Sequence, residues 1–395
     1  MQNYFTKRNI IIAAGAVILI AGIIWYLSLP TGAGQERAGI AEIFYNLFPE
    51  SENKDGAPLD PEGSPEGEEN NLPEANAGEQ NFLELVKESV SGATIYKGKI
   101  RYIDRASGHL FEMDLDGKNK NLISNTTIPG IFEVSWSPKG DRAILKYYSN
   151  EKLNVLSAVF SGSSTKTTFL PDGVREAIFS PKGDRVAYVL ASGSEGQVIT
   201  ATPENKTPTV RLKMPITSWK ISWPEEANIY LLTAPSAYLD GFLYKLTLSS
   251  GAFAKVFGPS LGLTAATNGA NIFFSASDPN DRALSNLSLN IAGNKLSSAS
   301  SLTLPEKCAW SKKSKDIIFC ALPLAYSPAV YPDDWYKGKI SFNDEIVKLN
   351  LKDSAIESIE ILPSVDATNL FLSEDETLLF FTNKKDGSLW RLKIN

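Results

Sequence analysis

Few residues in this chain have the types and spacing that catalysis requires. His109 is the one histidine among 395 residues, so histidine metal clusters and histidine acid–base relays have nothing to be built from. A serine nucleophile needs a base placed beside it. The strained G-x-S-x-G turn that presents such a serine is absent, and the nearest run, Gly193-Ser194-Glu195-Gly196, has the wrong form. Phosphate-cradling G-x-x-x-x-G-K-[ST] is absent as well. Adjacent carboxylates occur at Glu225-Glu226 and Asp333-Asp334, where solvation explains them better than a shared proton. Asp114-Leu115-Asp116-Gly117 begins like a calcium loop but lacks the further oxygen ligands, so it reads as a hairpin turn. The chain therefore reads as a non-enzyme with no cofactor and no metal.

The densest candidate surface is the run from Leu322 to Asp344, LPLAYSPAVYPDDWYKGKISFND. Tyr326, Tyr331, Asp333, Asp334, Trp335 and Tyr336 place aromatic rings beside carboxylates, which suits a sugar platform or a protein hot spot. The same rings equally suit packing the loop onto its own support. Cys308 and Cys320, twelve residues apart, flank a turn in CAWSKKSKDIIFC. Antiparallel pairing about that turn sets them opposite or nearly opposite, and outside the cytoplasm they would form a disulfide. Two buried thiols are the alternative, since a one-residue slip sends the side chains to opposite faces.

The elements that must position these groups recur with a fixed period. Strand-like runs are marked by Ile100, Ala143, Val186, Ile229, Ile272, Ile317 and Leu378, at spacings of 43, 43, 43, 43, 45 and 61 residues. Ser137-Pro138-Lys139-Gly140-Asp141-Arg142 returns nearly unchanged as Ser180-Pro181-Lys182-Gly183-Asp184-Arg185. About 40–45 residues with four strands per unit is the period of a β-propeller. The expected fold class is all-β, a seven-bladed propeller, with six or eight blades as the error of the count. The 61-residue spacing holds eighteen extra residues within the sixth unit, and these are the aromatic run. Long loops on rigid scaffolds concentrate function. The last unit ends after three strands, so Asn81–Val86 or Ala93–Tyr96 must supply the fourth to cover a bare edge.

The repeat unit resembles the TolB/WD40-like (PD40) propeller repeat, over roughly residues 91–395. The segment IRYIDRASGHLFEMDL followed by NTTIPGIFEVSW is similar to membrane-anchored propeller proteins of candidate-phyla bacteria. Arg101, Tyr102, Arg105, Gly108 and His109, with Asn125, Thr126, Thr127 and Pro129, carry that likeness. It implies an extracytoplasmic propeller that makes protein–protein contacts at the cell envelope. The chain departs from TolB itself in having no recognisable N-terminal α/β domain.

Residues 1–80 read differently. Ile10 to Leu27 is an uncharged run of eighteen residues, preceded by Lys7 and Arg8 and ending at Trp25 and Tyr26. About twenty helical residues span a hydrocarbon core, and the positive flank places the N-terminus in the cytoplasm. A cleaved signal peptide is the alternative, with a shorter apolar region than this one. Between Glu50 and Gln80 there are ten acidic residues and one lysine, a charge of −9 within a chain total of −6. That segment has too little apolar surface to offset its ordering entropy and reads as a disordered tether. The expected organisation is a cytoplasmic tail over 1–8, a transmembrane helix over 9–29, a juxtamembrane segment and acidic linker over 30–80, and the propeller over 81–395. With the remaining charge at +3, no basic face is implied and nucleic acid is not an expected partner. The expected role is a single-pass, membrane-anchored, extracytoplasmic binding module for an envelope or extracellular protein. A carbohydrate-active propeller using loop carboxylates and a purely structural envelope protein are the alternatives.

Overall fold

The computed structural model describes residues 81–395, apart from positions 163, 279, 281–283, 300, 301, 363 and 395. The expected cytoplasmic tail, membrane helix, juxtamembrane segment and acidic linker lie outside the described residues. No helix among the described residues is long and apolar enough to cross a membrane.

Seven four-stranded antiparallel sheets form a seven-bladed propeller. Blade 1 runs from its inner strand Val90–Tyr96 through Lys99–Asp104 and Leu110–Met113 to the outer strand Asn121–Ser124. The same order recurs from inner strands Ile131–Trp136, Val174–Phe179, Trp219–Glu225, Thr264–Thr267, Cys308–Trp310 and Ala367–Leu372. Every marker of the 43-residue period falls on the second strand of its blade. The reason is burial. Val186 and Tyr188 pack toward blade 2, while Ala187 and Val189 between them pack toward blade 4. A second strand is thus covered on both faces, and alternation gives way to a continuous apolar run. Seven apolar clusters fill the seven seams between blades, including the seam that joins blade 7 to blade 1.

The repeated Ser-Pro-Lys-Gly-Asp-Arg turn joins first and second strands. Ser137 Oγ donates to Asp141 at 2.9 Å and accepts from the Arg142 amide at 3.1 Å. Ser180, Asp184 and Arg185 repeat the arrangement. Each turn is also fastened to the next blade. Arg101 Nη1 donates to Gly140 O at 3.2 Å, and Arg142 Nη1 donates to Gly183 O at 2.7 Å. Arg185 pairs with Glu226 at 2.9 Å, and Asn268 donates to Lys315 O at 2.8 Å. The motif therefore works between blades as much as within one.

The ring closes with Phe82–Val86 as the outer strand of blade 7, antiparallel to Leu389–Lys393. Of the two closing registers expected, Ala93–Tyr96 is excluded because it belongs to the inner strand of blade 1. Phe82 stacks on Trp390 with ring centroids 4.6 Å apart, which holds the closing strand in register.

Antiparallel order gives the propeller two unlike faces. One carries the first-to-second-strand turns and the third-to-fourth-strand hairpins, and is called here the turn face. The other carries the second-to-third-strand loops and the connections between blades. The extra residues lie on that second face, between Pro323 and Asp344 of blade 6, so it is called the insertion face. Asn81, at the start of the closing strand, accepts a hydrogen bond from the Lys393 amide at 2.8 Å at the turn-face end of blade 7.

Candidate functional site

The insertion, residues 324–343, has one helical turn, α1 (Asp333–Tyr336), and otherwise irregular backbone. Its own sequence provides little regular structure, so side chains fix it to the propeller. Trp335 and Tyr331 are 4% and 3% exposed and pack with Leu284, Leu304 and Phe342 in an apolar cluster of their own. Asp333 accepts the Ala237 amide at 2.7 Å and the Ser236 hydroxyl at 3.3 Å, joining α1 to blade 4. Asp334 accepts the Val330 amide at 3.0 Å and pairs with Lys339 at 3.0 Å. The amide bond, followed by the Lys339 bond, lowers its pKa below the ordinary carboxylate value.

Beneath the insertion lies a buried charge cluster. Lys307, Asp344 and Asp366 are all inaccessible to solvent. Lys307 Nζ donates to Asp344 Oδ2 at 2.7 Å, to Asp366 Oδ1, and to Ala367 O at 3.1 Å. Asp366 Oδ2 accepts from Trp335 Nε1 at 3.0 Å and from the Phe342 amide at 3.1 Å, both from the insertion. Asp344 Oδ2 also accepts the Ala367 amide at 2.6 Å. The ammonium group lies 5.6 Å from the Trp335 ring centroid and 5.3 Å from that of Phe342. Burial raises the Asp344 pKa to about 6, against the opposing pull of Lys307.

A second polar group draws together residues of blades 2, 3 and 4 and Glu306 of the turn before blade 6. Lys220, on the inner strand of blade 4, pairs with Glu176 of blade 3 at 2.7 Å. Lys146 of blade 2 pairs with Glu176 and with Glu133, each at 2.7 Å. From the insertion, the Tyr336 hydroxyl donates to Glu306. Tyr336 keeps 41% of its surface accessible, yet enclosure by protein raises its pKa and that of Glu306.

The two faces differ sharply in exposed apolar surface. Of the fourteen large apolar residues exposed among the described ones, six lie in loops of the insertion face. Tyr238, Leu239 and Leu302 lie beside the insertion, Leu324 and Tyr336 belong to it, Ile216 lies in the connection from blade 3 to blade 4, and the stacked pair Phe132–Tyr148 lies on strands of blade 2. The other eight lie on strands, six of them on outer strands, and none falls in a turn or hairpin of the turn face. A pocket of about 290 Å³, lined by Leu284, Leu302, Tyr326, Pro328, Ala329 and Tyr331, opens beside the insertion.

The expected contact residues therefore divide. Tyr336 is exposed, Tyr326 walls the pocket, Asp333 and Asp334 are committed to local bonds, and Tyr331 and Trp335 hold the loop down. For Tyr331 and Trp335 the contact-surface expectation is corrected, because their ring area is already spent on Phe342 and its neighbours. The exposed residues missed from sequence, Tyr238, Leu239 and Leu302, lie in other blades, and single apolar residues in loops carry no pattern.

The other singled-out residues lie apart. His109 Nε2 is 3.0 Å from Thr127 Oγ1, which links a loop of blade 1 to its connection with blade 2. Arg101 is buried over the Tyr96 ring and bonded to Glu112, and Tyr102 is a core residue of the seam with blade 7. Arg105, Asn125 and Thr126 are exposed on the insertion face. Cys308 and Cys320 sit directly opposite on adjacent strands of blade 6 and are joined by a disulfide. Among the described residues, no group of three or more His, Cys, Asp or Glu is placed to hold a metal ion.

No protein-family model matches the chain, and no curated protein sequence does. Solved structures match it in fold. An oligogalacturonate lyase in complex with manganese is 10% identical, over 80% of this chain and 93% of that one, with a TM-score of 0.57. The β-propeller domain of the Trilobed protease from Pyrococcus furiosus, which has an open velcro topology, is 11% identical over 78% and 96%, with a TM-score of 0.51. The tricorn protease is 11% identical over 80% of this chain, which spans 34% of the protease's length, with a TM-score of 0.49. At these identities the likeness concerns the fold alone, that of a β-propeller. Enzymes and non-enzymes both use it, and nothing among the described residues marks a catalytic site.

Proposed function

We propose that this chain is a membrane-anchored, extracytoplasmic binding module that engages a partner protein at the cell envelope through the insertion face of its propeller. The observation that carries the reading is the segregation of exposed apolar surface. Tyr238, Leu239 and Leu302 lie beside the inserted loop and Leu324 and Tyr336 belong to it, whereas no turn or hairpin of the opposite face carries an exposed large apolar residue among the described ones. Aromatic and aliphatic side chains on a fixed scaffold bind with little ordering cost. The uncharged run Ile10–Leu27 supports the anchor. The closing strand starts at the turn-face end of blade 7.

The test is crosslinked capture from the native host with three proteins: the natural chain, Tyr238→Ser with Leu239→Ser, and a chain with 324–343 replaced by a short glycine linker. Both variants are expected to lose the partners that the natural chain captures. Unchanged recovery by both, with the propeller folded, sinks this choice of face.

One observation favours a second reading, a carbohydrate-active propeller: Glu306, its pKa raised by burial, accepts the Tyr336 hydroxyl and lies within reach of the charge of Lys220. Production of unsaturated sugars from an oligogalacturonate, abolished by Glu306→Gln, would replace the binding reading with this one.

A further inference from the structure

Two buried carboxylates share one ammonium group beneath the insertion, which leaves the cluster one negative charge in excess. Within it, Asp344 Oδ2 is used twice, by Lys307 and by the Ala367 amide. Oδ1 is buried and has no hydrogen-bond partner. An ionised carboxylate with an unsatisfied buried oxygen is costly, and neutralisation by a proton relieves the cost.

We propose that a proton latches the insertion to the propeller: Asp344 takes up a proton at Oδ1 as the pH falls, and the insertion then seats more firmly. This assigns a regulation to the binding face, and its consequence for partners rests on the binding reading. The seating itself does not.

The groups facing Asp344 come from every element around it. Lys307 approaches from the turn before blade 6, and Asp366 from the connection into blade 7. From the insertion comes Tyr326, whose hydroxyl is also buried without a partner and whose ionisation is opposed by burial and then by the charges of Tyr331 and Asp344. Behind Asp366, the Lys384 ammonium lies 4.9 Å from the Trp335 ring centroid, its pKa lowered by burial. Once Asp344 is neutral, Lys307 and Asp366 balance each other, and Asp366 keeps its bonds to Trp335 and the Phe342 amide. The insertion thus loses none of its anchors on protonation.

The sign follows from linkage. The seated form holds the Asp344 proton with a pKa raised to about 6, from an ordinary value of 3.8 in a hydrated, unseated form. Seating therefore gains as the pH falls from above the higher value toward the lower one.

Hydrogen exchange of the full chain reads this directly. Protection of peptides within 324–343, corrected for intrinsic exchange and referred to peptides of blade 3, is expected to be about tenfold greater near pH 5 than near pH 7.5. Asp344→Asn is expected to remove the dependence and to show the higher protection at both pH values. Protection that is flat in the natural chain overturns the latch, as does a slope retained by Asp344→Asn. Should that variant not fold, the natural chain's series alone decides. No partner enters the measurement, so failure of the latch and failure of the binding reading register separately.

Discussion

Trp335 Nε1 donates to Asp366 Oδ2 across 3.0 Å, joining the loop inserted in blade 6 to the connection that enters blade 7. The indole is 4% exposed, so the bond is shielded from water and the ring fills space as well as donating. This one side chain ties the chain's largest irregularity to the buried charges beneath it.

Trp335→Ala should therefore free the insertion. Loss of a buried aromatic costs about 3–5 kcal/mol, and here it also strips a donor from a buried carboxylate. Limited proteolysis between Leu324 and Asn343 is expected to accelerate while the blades stay resistant. Trp335→Phe, which keeps most of the ring, should fall between Trp335→Ala and the natural chain.

Lys307→Met leaves Asp344 and Asp366 buried with no cation between them. Breaking a buried ion pair from one side costs about 3–5 kcal/mol. Denaturant unfolding should show that loss, and adding Asp344→Asn with Asp366→Asn should recover a substantial part of it. An additive loss across the three substitutions would mean that the groups do not act as one cluster.

Global stability should depend on pH in two opposite ways. The raised pKa of Asp344 makes the natural chain more stable as the pH falls from about 7 toward about 5. Asp184 and Asp375 act in the other direction. Their pKa values are lowered, first by the hydroxyls of Ser180 and Ser373, so their contribution is present above the ordinary carboxylate value and lost below it. Thermal unfolding across this range should show a maximum on the acid side of neutrality, which Asp344→Asn moves upward in pH.

Closure of the ring depends on Phe82 against Trp390 and Phe381. Phe82→Asp should unpair the closing strand and bare the edge Leu389–Lys393, a template for other chains. The expected result is lower unfolding temperature and concentration-dependent association, measured by light scattering.

Gly140 and Gly98 separate conformation from space. Both have left-handed φ, +69° and +75°. A Cβ on Gly140 would lie 2.8 Å from Ile95 O, whereas one on Gly98 would meet nothing within 4 Å. Gly98→Ala should cost about 1–2 kcal/mol, and Gly140→Ala clearly more, because that turn abuts blade 1.

The repeat and its single large violation were legible in the chain, and both have one physical cause. A second strand covered on both faces must be apolar at every position, as in Val186–Val189, so the period survives even where the turn motif decays. The insertion then stands out as the place where the period fails. The identity of the closing strand was legible only to within two candidates, because pairing partners some 300 residues apart leave no local signal.

The charge cluster shows the opposite case. Lys307, Asp344 and Asp366 are separated by 37 and 22 residues and sit in no motif, each just outside or at the start of a strand. Only the arrangement of adjacent blades brings them together, and only their complete burial gives them consequence. The same holds for the residues exposed around the insertion: Trp335 and Tyr336 are neighbours of similar type, one interior and one facing solvent. By itself, then, the sequence determined the scaffold, the number of blades and the site of the irregular loop, because burial on a repeating frame writes itself into every unit. Which side chains of that loop face outward, and which charges lie beneath it, was decided by the tertiary structure, because exposure and desolvation depend on neighbours that are remote in the chain.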